Sequence, residues 1–75
     1  MPNVLVKKEA LPIEVGSTVF WVNLETRKIS KVGGSPAIIQ YWAFLPPGMH
    51  PATIRGKDRE TVIADVRQAI ASQVS

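Results

Sequence analysis

His50 is the one side chain of this sequence suited to moving protons near neutral pH, and it sits in Gly48-Met49-His50-Pro51. A loop histidine can serve as a general base, given a partner to orient it and a nucleophile to activate. No sequence neighbour of His50 offers the first. Ser35, the nearest upstream serine, lies in no nucleophile-elbow pattern. Glu9, Glu14 and Glu25 could work as acid and base, but nothing in their spacing couples them. The expectation is a solvated loop histidine in a chain that is not an enzyme. Metal chemistry has as little to work with. There is no cysteine, which removes disulfides and thiolate sites. One histidine cannot furnish the roughly four Cys/His ligands of a structural zinc site. No cofactor is expected: Gly33-Gly34-Ser35 could bring glycine amides to an anion, yet it lacks the lysine and the glycine spacing of a P-loop.

Groups suited to recognition are more plentiful. Trp21, Tyr41, Trp42 and Phe44 are large aromatics in two short stretches, and aromatics dominate the energetics of protein interfaces. Basic residues cluster as well: Arg27, Lys28 and Lys31 in one stretch, Arg55, Lys57 and Arg59 in another. Such charges neutralise phosphates, and exposed aromatics stack on bases. Arg59 falls beneath an apolar stripe, where it either snorkels along a sheet edge or joins Arg55 before an anion. The net charge of +3, from nine Lys/Arg against six Asp/Glu, permits an acidic partner without requiring one.

The elements that must position these groups follow from periodicity. Val62, Ile63, Val66, Ala69 and Ile70 recur on one face of a helix. Asp58 stands at its N-cap, while Glu60, Asp65, Arg67 and Gln68 fall on the solvated side. Thr18–Val22 is β-branched and aromatic, as a strand should be. Asn23–Lys28 reads as a polar turn, with a short return strand over Ile29–Val32 and a loop at Gly33–Pro36. Ala37–Leu45 is the strongest strand, and Pro46-Pro47-Gly48 ends it because proline cannot donate to a ladder. Ala52–Arg55 makes a last short strand, and Gly56 turns the chain into the helix. Residues 1–15 carry weaker signals, an N-terminal strand or arm, with Pro12 confining its neighbourhood to a sheet edge.

The predicted architecture is therefore a single α+β domain over residues 1–75: a small antiparallel sheet of three to four strands with one C-terminal helix packed on one face. This order of elements resembles the layout of small DNA-binding arm domains, which read a groove with a sheet. Val15–Trp21 is similar to the opening of SH3-like small barrels, although the long helix argues against a plain barrel. Seventy-five residues bury only roughly 60% of their unfolded surface, and a core that thin usually gains a staple from metal, disulfide or partner. With the first two removed, a partner subunit remains.

One helix covers one face of a sheet, yet both faces here are apolar. Ile38, Gln40, Trp42 and Phe44 share one face of the third strand; Ala37, Ile39, Tyr41, Ala43 and Leu45 share the other. The second face needs a cover: the N-terminal segment folded back, a second copy, or a foreign protein. The reading is a binding module that acts through protein–protein contact, self-association included, with Trp21, Tyr41, Trp42 and Phe44 as contact residues. Nucleic-acid binding through the six basic residues is the alternative. No apolar run approaches the ~18 residues of a membrane span, and no export signal is visible. A cytoplasmic protein is expected.

Overall fold

In a computed structural model, which describes residues 3–29 and 37–74, the chain forms four antiparallel strands and one helix in the order β1 (Asn3–Val15), β2 (Thr18–Ile29), β3 (Ile38–Phe44), β4 (Thr53–Gly56), α1 (Arg59–Val74). The sheet order is β1-β2-β3-β4. The expected α+β architecture is what the chain adopts.

β1 and β2 are joined by the two-residue turn Gly16-Ser17, so Val15 pairs with Thr18. Gly16 sits at φ 62°, the glycine-first pattern of a type II′ hairpin turn, whose twist matches that of the flanking strands. From there the register runs Ile13–Phe20, Leu11–Val22 and Glu9–Leu24, then slips by a bulge between Leu5 and Lys7. Pro12 lies in β1, an outermost strand, as a residue without an N–H must.

The polar stretch Asn23–Lys28 corrects the sequence reading. It is the middle of β2, paired on both sides with β1 and β3, and no turn. Its residues alternate: Leu24 and Thr26 point to the helix side, Asn23, Glu25 and Arg27 to the other. The charges hid a period of two. Lys31 and the Gly33–Pro36 loop lie outside the described residues, as does most of the expected return strand at Ile29–Val32.

Helix α1 lays Val62, Val66 and Ile70 on the sheet, where they are buried with Ile13, Val22, Leu24, Ala43 and Leu45. Leu11, Val15, Phe20, Tyr41, Met49, Ile54, Ile63 and Ala69 pack around them. Glu60, Asp65, Arg67 and Gln68 are exposed, as their spacing predicts. The Asp58 carboxylate caps the helix by accepting from the Thr61 amide at 3.0 Å and its hydroxyl at 2.7 Å. After β3, the Met49 amide donates to the Pro46 carbonyl at 3.2 Å, with Gly48 at φ 88°. That is a type II turn with proline and glycine at the positions it favours. Gln73, in the last turn of α1, accepts from the His50 amide at 2.8 Å and donates to the His50 carbonyl, pinning this loop to the helix. Among the described residues no helix is long and apolar enough to cross a membrane.

Two predictions follow from how the helix is seated. Gly56 faces α1 so closely that an added Cβ would lie 2.8 Å from the Val62 Cγ2. Gly56→Ala should therefore destabilise the fold by about 1–3 kcal/mol, the usual cost of overpacking. Thermal melts of Gly56→Ala, Val62→Ala and the double variant should show less than additive loss, because the second change makes room for the first. The Thr61 hydroxyl and amide hold the Asp58 carboxyl below its ordinary pKa. A carboxyl depressed on folding stabilises above its unfolded pKa and loses that contribution as pH falls through the folded one. Asp58→Ala should accordingly melt lower than the native chain at neutral pH, and the gap should close on acidification.

Candidate functional site

The face of the sheet turned away from α1 is built by the register. Trp42 lies opposite Glu25 on one side and Arg55 on the other, with Lys8 beyond Glu25. The next row toward the β1–β2 turn is Ala10, Asn23, Phe44 and Thr53. Beyond it Trp21 stands beside Pro12, and then Val19 beside Glu14. On the other side of Trp42 lie Arg27 and Gln40. Every strand contributes, and alternation alone puts these side chains on one surface.

The centre of this surface is a polar aromatic array. The Arg27 guanidinium lies 4.8 Å from the Trp42 ring centroid and that of Arg55 lies 5.2 Å from it, both within cation–π range. Arg27 also donates from Nε to Glu25 Oε1 at 2.8 Å and again from Nη2. The Trp42 indole donates to Gln40 Oε1 at 3.2 Å. Trp42 and Phe44 are half-buried. Trp21 is different: 64% of it is exposed.

The residues singled out in the sequence separate under this geometry. Trp21, Trp42 and Phe44 share the open face, whereas Tyr41 points to the helix side and packs against the core. Arg27 joins Trp42, while Lys28, one residue on, faces the other way and is exposed. At the start of the helix, Arg55 goes to Trp42 and Lys57 is exposed. Arg59 instead donates to Glu9 Oε1 at 3.2 Å. Lys7 approaches the same carboxylate at 3.9 Å. Arg59 therefore ties the helix to β1 and does not stand beside Arg55. Among the described residues, one arginine of each cluster, Arg27 and Arg55, meets over Trp42, while Lys28 and Arg59 lie elsewhere.

The cover for the open face is narrowed by β1. Residues 3–15 extend the sheet sideways and do not fold back over it. Of the three covers the sequence allowed, the N-terminal segment is ruled out. His50 is exposed in its loop. Among the described residues no three His, Cys, Asp or Glu side chains gather as a metal site. Sequence reasoning placed Gln40 on the face of Trp42 and Phe44 but missed Lys8, Glu14 and Glu25 as members of it. The alternation of Leu24 and Thr26 with Asn23, Glu25 and Arg27 would have revealed Glu25, whereas Lys8 and Glu14 needed the β1–β2 register. No known protein family, curated protein or solved structure matches the chain.

Proposed function

We propose that this chain is a small, non-enzymatic binding module that works by protein–protein contact on the open face of its sheet, with Trp21, Phe44 and Trp42 as its contact residues. The observation that carries this is Trp21, 64% exposed on a face that no described segment crosses. A tryptophan presents ~230 Å² of largely apolar surface, so covering the exposed part would contribute roughly 3–4 kcal/mol. Tryptophan is also the residue most often found at the energetic centre of an interface. The array around Trp42 suits the same use. The Arg27 guanidinium and the Glu25 carboxylate already pair, so a partner can desolvate these two without leaving a bare charge, and Arg55 lies over the Trp42 ring.

A second reading, nucleic-acid binding, has Lys8 and two arginines on the open face in its favour. The pairing of Arg27 with Glu25 and of Arg59 with Glu9 weighs against it. Ion-paired cations release less from a phosphate's counterion atmosphere than free ones do.

A photoreactive benzophenone residue at position 21, in the cells that make the protein, should yield adducts with protein. The same residue at Gln68, on the exposed side of α1, should not. Adducts with nucleic acid, equal adducts from both positions, or none from position 21 would contradict the reading.

A further inference from the structure

Two charges on the open face have neither an ion-pair partner nor a ring contact within the described chain, and they are of opposite sign. Lys8 and Glu14 both lie on β1, both are exposed, and their parity puts both on the side away from α1. Among the described residues the carboxylate–cation pairs are Lys7–Glu9, Arg27–Glu25 and Arg59–Glu9. Lys8 and Glu14 stand six residues apart, about 20 Å along an extended strand. Midway between them is Leu11, level with Val22 in β2.

We infer that the partner of this face is a second copy of the chain, related by a two-fold axis that lies between the two sheets, across the strands at the level of Leu11. The inference rests on the open face being a protein contact, as proposed above. Such an axis reverses each strand and keeps its place across the sheet. It carries Lys8 of one copy onto Glu14 of the other, and the symmetry makes the pair twice. The same operation brings the two copies of Trp21 to the middle. Trp21 lies one residue from the axis on the side of the turn, and Phe44, on the neighbouring strand, lies one residue on the other side. The axis therefore sets the Trp21 ring of each copy over Asn23 and beside Phe44 of the other, at the ~10 Å separation of packed sheets. One symmetry element thus accounts for the exposed tryptophan and for both unpaired charges.

The long β1 edge of the sheet is guarded against self-pairing, which favours the face over that edge. Outermost β1 has Pro12, the adjacent lysines Lys7 and Lys8, and a bulge near Val6. These are the devices that discourage strand addition. Only β1 and β2 run the whole way from Lys8 to Glu14, since β3 and β4 stop at the row of Phe44 and Thr53, so the shared patch is about 5 by 20 Å between strand axes. An interface that small is a weak one, so the dimer forms at micromolar to millimolar concentration.

Sedimentation equilibrium over a wide concentration range tests this, with thermal melts to confirm that each variant is folded. The weight-average mass of the native chain should rise toward that of a dimer. Lys8→Glu and Glu14→Lys should each weaken association about tenfold, since each turns two attractions into two repulsions. The double variant restores both pairs with their signs exchanged and should regain native affinity. A native chain that stays monomeric throughout would overturn the inference. So would single variants that associate as well as the native chain, or a double variant that fails to recover. A monomeric chain that still gave protein adducts from position 21 would remove the second copy and leave the binding face standing. A dimer indifferent to Trp21→Ser would instead place the contact elsewhere and remove both.

Discussion

A single helix can cover only one face of a four-stranded sheet, and the rest of this protein follows from that. Sixteen residues of α1 make a rod of about 24 Å, set against a molecule 48 Å long. The helix shields the part of the sheet near the β1–β2 turn, and the eight buried hydrophobic residues all lie there or on the helix itself. Toward the other end Val4, Leu5, Val6 and Ile39 are left exposed on the strands. The helix is held in place by few devices. Asp58 caps it, Arg59 reaches Glu9 on β1, Gly56 allows its first turn to approach β4, and Gln73 fastens the His50 loop to its last turn.

The face without a helix is stabilised differently. It has no dry core; instead Glu25, Arg27, Gln40, Trp42 and Arg55 bond and stack among themselves at the surface. Guanidinium groups keep their donors in the plane while their faces lie on an indole, so they tolerate water on one side and an aromatic on the other. This arrangement accounts for Trp42. It does not reach Trp21, which stands nearer the turn beside Pro12. The surface is therefore graded, from a satisfied polar array at Trp42 to an uncovered tryptophan two rows away.

The helix, its cap and its solvated side were legible from spacing alone, because a 3.6-residue period over twelve or more positions has few competitors. The β3 strand and the proline turn after it were legible for a similar reason: apolar residues ran up to a residue type that cannot pair. Asn23–Lys28 was not. A central strand with one open face places charged residues at every second position, and in a short window Asn, Glu, Thr, Arg and Lys look like a turn. That one error also hid the membership of the open face, since Glu25 and Arg27 could be placed beside Trp42 only with the register known. Residues 3–15 were ambiguous because an edge strand may carry proline and lysine without penalty. The separation of Arg55 from Arg59 depended on where β4 ends and α1 begins, a matter of two residues that composition does not fix.

Both tryptophans of the chain lie on the open face, which makes their fluorescence a direct report on whether that face is wet. A dilution series of emission spectra is the most direct test of the account. At low concentration Trp21 should emit close to free tryptophan in water and be readily quenched by acrylamide. As concentration rises, emission should shift to the blue and quenching should fall. Blue-shifted, poorly quenched emission that persists unchanged on dilution would mean that the chain itself covers the face, and would contradict the account. So would water-like emission that never changes with concentration or with any added protein.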